Sequence, residues 1–300
     1  MIRDSKYPFL IKPNETEQEY QKITPEDAGW KDLNFAARKL RRGETWNSNT
    51  QGNETAIIIL GGIASIISSE GTWEKIGRRK DVFSGMPFAV YLSINTEFSV
   101  TAESDELDIA YGWCSSQNEY PARLITPEEV SIEIRGGGNA TRQINNIIPP
   151  GFECDRIVAV EVFTPSGNWS SYPPHKHDEH REDEHGNILE ACLEETYFYK
   201  VDRKEGFGIQ RIYTSDKEID EIAVAKNNDV VLVPKGYHPV SAAHGYNIYY
   251  LNFLAGSAQS LANYDDPEHA WIKDTWHELD SRVPVVSLEM ENITRKNNAD

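Results

Sequence analysis

Val230-Val231-Leu232-Val233-Pro234-Lys235-Gly236-Tyr237-His238-Pro239-Val240 carries the architecture of this chain in eleven residues. Four apolar, mostly β-branched residues form a strand, Pro234 and Gly236 make a turn, and His238 opens the next strand. A strand, a tight turn and a histidine at the start of the returning strand is how a β-barrel delivers a side chain from distant sequence to its interior. Working outward, similar short β-rich runs recur at Ala56–Leu60, Phe88–Ile94, Ile157–Phe163, Thr196–Val201 and Ile248–Leu254, separated by Gly, Pro and Asn clusters. This pattern predicts an all-β protein, a sandwich or barrel, rather than an α/β fold. Helical signals are few. Pro25-Glu26-Asp27 followed by Leu33, Phe35 and Leu40 is the one candidate helix, with Gly29 early in its window.

All eight histidines lie at His175 or beyond: His175, His177, His180, His185, His238, His244, His269 and His277. A site built from imidazoles therefore belongs to the second half. In Pro173-Pro174-His175-Lys176-His177-Asp178, strand alternation points His175 and His177 to one face and Lys176 to the other, and the prolines suit a strand start. With His238 these make three metal-ligating imidazoles. The fourth ligand should be a carboxylate. If Thr196–Val201 lines the barrel, Glu195, Tyr197 and Tyr199 face the cavity while Glu194, Thr196 and Phe198 face outward, so Glu195 is chosen, with Glu194 and Glu182 as alternatives. His180 and His185 fall in an acidic, solvated run, and His244 precedes Gly245 in a turn. Such a site binds one divalent ion with room for a substrate oxygen, suited to Lewis-acid chemistry on a carbonyl or to dioxygen.

Gly136-Gly137-Gly138-Asn139 and Pro149-Pro150-Gly151 bracket a junction, giving expected domains at 1–150 and 151–300. An ungapped internal match lays Val90-Tyr91-Leu92 and Phe98 to Ala102 on Val230-Val231-Leu232 and His238 to Ala242, with Phe98 where the second half has His238. A formal charge of −18 argues against nucleic acid or an anionic membrane as partner, and a carboxylate ligand would need a local cation. Ala56–Ile67, the longest apolar run, is broken by Gly61 and Gly62 and is too short for a membrane helix. Met1–Pro13 has no signal-peptide character. A cytoplasmic protein is expected, with Cys114, Cys154 and Cys192 reduced and its Asn-x-Ser/Thr triplets without meaning.

Three stretches together carry a family resemblance: Thr164-Pro165-Ser166-Gly167-Asn168-Trp169-Ser170-Ser171-Tyr172 running into the His-x-His, the Val231–Val240 stretch, and Tyr249-Tyr250-Leu251-Asn252 with Ala255-Gly256. They resemble the 5-deoxy-glucuronate isomerases of inositol catabolism, specifically from about Ile157 to Ile272 and more loosely through Val82–Gly85 and Ala89–Leu92. The resemblance implies duplicated cupin (double-stranded β-helix) barrels with few short helices, the first without metal ligands. It also implies conversion of 5-deoxy-glucuronate to 5-dehydro-2-deoxy-gluconate. The related uronate ketol-isomerases of pectin breakdown use zinc and place their acidic ligand directly before an aromatic strand, which supports Glu195. The common cupin spacing would instead select Glu182. The metal is expected to be Zn2+, with Mn2+ or Fe2+ as alternatives, and the ligand a small sugar acid; homo-oligomerisation stays open. Arg211, in Ile209–Tyr213, is the expected carboxylate clamp, and Tyr197, Tyr199 and Tyr250 are expected to bond sugar hydroxyls. Other readings are a pectin-type ketol-isomerase, a cupin dioxygenase, and a sugar-binding cupin without catalysis.

Overall fold

A computed structural model describes residues 1–291; residues 292–300 of the expected second domain lie outside the described residues. The fold is all-β and duplicated. In the first half the central sheet runs, strand by hydrogen-bonded strand, Phe88–Leu92, Asn53–Gly61, Glu106–Ser115, Asn34–Arg41 and Gln21–Ile23. In the second it runs Val230–Val233, Leu193–Val201, Ile248–Gly256, Val158–Thr164 and Arg142–Ile148. The smaller sheets repeat as well: Thr45–Asn49, Glu97–Ala102, Ala64–Ser68 and Thr72–Ile76 match Trp169–Ser170, Val240–Ala242, Gly208–Tyr213 and Asp220–Ala225 in order.

The internal sequence match therefore picks the correct strands, but its register needs one correction. Leu92 faces the interior of its barrel and pairs with Thr55, whereas Leu232 faces the other barrel and pairs with Thr196. Because a one-residue slip exchanges the two faces of a strand, the true counterpart of Leu92 is Val233, which pairs with Glu195. The following turn is one residue shorter in the second half. Phe98 and His238 keep their correspondence, since Val100 pairs with Trp46 as Val240 pairs with Ser170.

The candidate helix shrinks to Pro25–Ala28. Thr24 caps its start, and Gly29 at φ 80° ends it. Leu33, Phe35 and Leu40 belong instead to the approach and strand Asn34–Arg41, where tertiary pairing on both sides overrides helical spacing.

The expected boundary at residue 150 is also redrawn. Leu10–Lys12 pairs with Val230 and Val231, and Ser131–Arg135 with Arg142–Ile148 extends the sheet beyond Val158–Thr164. These segments satisfy backbone groups that the second barrel would otherwise expose at its sheet edges. The Gly- and Pro-rich stretches are turns within that arrangement rather than a linker.

Each barrel has its own apolar interior, a further core lies between the barrels, and a smaller cluster gathers Val158, Val160, Ala191, Leu193 and Leu254. Phe198 sits 5.3 Å from Phe35, and Phe35 sits 5.9 Å from Phe253, ring centre to ring centre. Gly112 makes this approach possible, because a Cβ there would lie 2.4 Å from the Phe253 ring. Buried Arg79 from the first barrel also grips Glu161 of the second with two hydrogen bonds of 3.0 Å.

Candidate metal centre

The strand Leu193–Val201 lies between Val230–Val233 and Ile248–Gly256, and both of its faces are buried, one inside the second barrel and one against the first. Glu195, Tyr197 and Tyr199 point into the second barrel, as alternation requires, and Phe198 points at the first. The turn at Pro234–Tyr237 brings His238 to the same interior, fully buried. The extended Pro173–Lys176 segment, pairing His175 and Lys176 with Asp265 and Tyr264, presents His175 and His177. Lys176 turns away to Glu190 at 2.8 Å.

Ligand-type atoms of His177, Glu195 and His238 all lie within 4.8 Å of one another. His175 flanks them, its ring centre 4.9 Å from that of His238. The His177 Nδ1–H donates to the Leu193 carbonyl at 3.0 Å, and the His238 Nδ1–H donates to the Gly236 carbonyl at 2.8 Å. The His175 Nδ1 faces the Pro173 carbonyl at 3.4 Å. A carbonyl only accepts, so these contacts set the tautomers and leave Nε2 of His177 and His238 as lone-pair atoms. Both then face one carboxylate oxygen: Glu195 Oε2 lies 2.9 Å from His177 Nε2 and 3.3 Å from His238 Nε2. The latter is buried without a hydrogen-bond partner among the described residues. Lone pairs converging on a carboxylate repel unless a cation sits among them. The donor set of imidazole nitrogens and one carboxylate therefore fits a divalent metal ion.

In the protein alone, a proton has to serve instead. Burial opposes charge on both groups, yet contact with His177 and His238 holds the Glu195 carboxyl down to about 2. Burial lowers His177 too, but the bond to Glu195 outweighs it and the net direction is upward. His175 is pushed well below the ordinary imidazole value by burial and by its neighbours His238 and His177.

The other acidic candidates are elsewhere. Glu182 is exposed and holds His180 at 3.0 Å. Glu194 faces the first barrel and accepts the backbone N–H groups of Lys31, Asp32 and Leu33 at 2.6, 2.8 and 2.8 Å. Among the phenols, Tyr197 and Tyr250 border the central cavity and share Ser171 Oγ, at 2.9 and 3.2 Å. Burial raises Tyr250 to about 12 and holds Tyr197 well above the ordinary phenol value, so both are neutral donors at physiological pH. Tyr199 lies deeper, with its hydroxyl committed to Gln210 at 2.8 Å.

Arg211 is not at the site. Its strand alternates so that Gln210 and Ile212 face inward, and Arg211 pairs outside with Asp220 at 2.7 and 2.8 Å. Two cations line the cavity, exposed Arg135 and buried Arg142, and sequence reasoning missed both because they fell at the supposed junction. An available signal was the alternation of Arg142, Ile144 and Asn146 in a run that reads as a strand. Arg142 is 4% exposed, and its guanidinium donates one bond, to the Ala140 carbonyl at 3.2 Å. Burial pushes it down to about 10, which leaves it charged at neutral pH. Among the described residues no carboxylate forms an ion pair with it. The inner cavity, about 120 Å³, and an outer one of about 280 Å³ share Arg135, Arg142, His175 and Asn263 as walls.

Two cupin barrels, one of them enclosing imidazoles and a carboxylate beside a polar cavity, define a double-cupin protein with a metal-type centre. The chain belongs to the KduI/IolB family, whose model matches residues 9–272. It is 46% identical over 272 residues to a 5-deoxy-glucuronate isomerase of Geobacillus thermodenitrificans, covering 89% of this chain and 96% of the relative. A Bacillus subtilis protein of the same name is 40% identical over 242 residues, covering 80% and 87%. Among solved structures, an IolB-like protein from Salmonella typhimurium matches with a TM-score of 0.84 and 38% identity, covering 88% of this chain and 98% of that one. A mutant Bacillus subtilis oxalate decarboxylase matches at TM-score 0.60 and 11% identity, covering 88% and 81%, a likeness of fold alone.

Proposed function

We propose that this chain is a metal-dependent aldose–ketose isomerase that converts 5-deoxy-glucuronate to 5-dehydro-2-deoxy-gluconate in inositol catabolism, acting in the cytoplasm. The observation that carries the metal centre is the pair of Nδ1–carbonyl bonds that aims His177 Nε2 and His238 Nε2 at one Glu195 oxygen. His175, His177, Glu195 and His238 would hold the ion, with zinc expected. When bound, a divalent cation supplies Lewis-acid stabilisation of negative charge developing on the substrate oxygens. The names of relatives 38–46% identical to this chain support the isomerase reading over the dioxygenase and pectin-type alternatives.

The protein's own residues supply recognition. A buried guanidinium without an anionic partner is costly, and a substrate carboxylate arriving at Arg142 would relieve that cost with charge-assisted bonds. Tyr197 and Tyr250, held neutral and already sharing Ser171, can donate to sugar or enediolate oxygens without competing as bases. The closed barrel limits bulk water around these groups, which strengthens each contact. The decisive experiment is metal analysis of the purified protein with an isomerase assay before and after chelation. Full activity in metal-free protein would overturn the reading.

A further inference from the structure

The first barrel is hollow at the end corresponding to the metal centre. By strand register Thr55 occupies the place of Glu195, Phe98 that of His238 and Trp113 that of Leu254. These residues border a cavity of about 350 Å³. That volume falls in the ~300–1,000 Å³ range of small-molecule pockets. Protein interiors are otherwise packed to crystal density, so a hollow of this size beside three large aromatic rings is not ordinary core.

Its walls are chemically specific. Trp46 lies 4.5 Å from Tyr111, and Tyr111 stacks on Trp113 at 5.5 Å, forming a continuous aromatic surface. Such faces accept the apolar C–H surface of a sugar ring, while Asn53 and Thr55 offer groups for hydroxyls. Arg38 sits over Trp46 with its guanidinium carbon 4.9 Å from the ring centre. It gives Nη2 to Glu19 at 2.8 Å, while its Nε is buried without a partner. Lys22 Nζ lies 3.3 Å from the same Glu19. Two cations against one carboxylate leave a local positive charge in a chain whose formal charge is −18. No histidine occurs in this half to hold a metal.

We infer that the first barrel is a second, non-catalytic binding site for a monosaccharide acid, its ring against Trp46, Tyr111 and Trp113 and its carboxylate at Arg38. The Arg38 guanidinium, one nitrogen of which holds Glu19, supplies charged N–H donors to a carboxylate in the cavity. The inference is independent of the isomerase reading, because it uses no residue of the second barrel.

The test is titration calorimetry of the full-length, chelated protein with D-glucuronate, with tryptophan fluorescence as a parallel readout. Arg142→Ala serves as background to weaken binding in the second barrel. Trp113→Leu should weaken the first-barrel site at least tenfold. Ser48→Trp, an exposed residue at the cavity mouth, should block the site without touching the core, which covers the case in which Trp113→Leu misfolds. Loss of one binding equivalent on Ser48→Trp supports the inference whether or not the Arg142→Ala background still binds in the second barrel. A second equivalent that persists in that background would count against the Arg142 assignment alone. Unchanged binding in correctly folded Ser48→Trp and Trp113→Leu proteins overturns the site. Glucose binding as tightly as glucuronate overturns the assignment of an acid.

Discussion

Replacing Arg142 with Met should move stability and activity in opposite directions. The side chain is buried, its guanidinium has one protein hydrogen bond, and it forms no ion pair with a carboxylate among the described residues. In the free protein its charge is therefore a liability. A Met of similar length keeps the packing and removes the buried charge, so the melting temperature should stay level or rise, by ~2–4 °C for each kcal/mol gained in a domain of this size. With substrate the sign reverses. Truncating one partner of a buried, hydrogen-bonded charge pair costs about 2–4 kcal/mol, or ~30- to 1,000-fold in kcat/KM. Arg142→Lys keeps the charge but loses the fork, and should fall between wild type and Met. Thermal melts of chelated protein and steady-state kinetics on 5-deoxy-glucuronate read the two effects separately. A melting temperature several degrees lower with kcat/KM intact would refute the reasoning and make Arg142 a structural cation.

His238→Ala and Glu195→Gln should both lose bound metal and activity, while Glu182→Gln keeps both within about twofold; metal analysis that finds the Glu182 variant empty would restore the short cupin spacing. Gly112→Ala should destabilise the protein by about 1–3 kcal/mol, because the new methyl collides with Phe253 and overpacks the inter-barrel core; a denaturant midpoint equal to wild type would show that the barrels can shift apart freely. The metal-free protein should gain stability from the His177–Glu195 pair only within a pH window. The depressed Glu195 contributes stability present above about 4.5 and lost as pH falls toward about 2, whereas the raised His177 contributes stability present below 6.5 and lost as pH rises through its folded value. Melting curves across pH 2–8 should show this maximum in chelated protein and a shift to higher pH when metal is added, since metal displaces the shared proton. A pH profile unaltered by chelation would count against ligation by this pair.

What could be read from the sequence was whatever depends on alternation within one strand. Glu195, Tyr197 and Tyr199 share a face because side chains two apart must, and no tertiary information was needed to separate them from Glu194 and Phe198. His175 and His177 could be paired by alternation, and His238 joined to them because it opens a strand after a Pro/Gly turn in the half that holds every histidine. Failures came where the deciding fact was which strand pairs with which. Arg211 and Arg142 both lie in alternating strands, but only the sheet order tells which face is inward, and Arg142 was hidden by glycines taken for a linker. The one-residue slip in the internal match has the same origin, since turn length cannot be inferred from residue similarity. Thr55 rather than Glu54 is the counterpart of Glu195, so the carboxylate next to that position faces away from the first barrel's interior. Glu54 instead accepts the backbone N–H groups of Asp155, Arg156 and Ile157 at 2.8, 2.7 and 2.8 Å, tying the start of the second barrel to the first.

That tie points to what the first barrel contributes to a site it does not form. A metal or catalytic constellation works only if its strands are held to fractions of an ångström. The strand bearing Glu195 has one face at the candidate metal centre, and its other face is clamped through Phe198 against Phe35, with Glu194 capping the backbone at Lys31–Leu33. Its neighbour Ile248–Gly256 is fixed likewise by Phe253 over Gly112. Next to that, Val158–Thr164 is held through Glu161 on Arg79. Three consecutive strands of the sheet that carries the candidate site are thus braced from behind by the first barrel. Substitutions at Phe35 or Arg79, far from any ligand, should therefore loosen metal binding as well as lower stability, whereas a substitution confined to the first barrel's own interior, such as Ile66→Val, should lower stability alone.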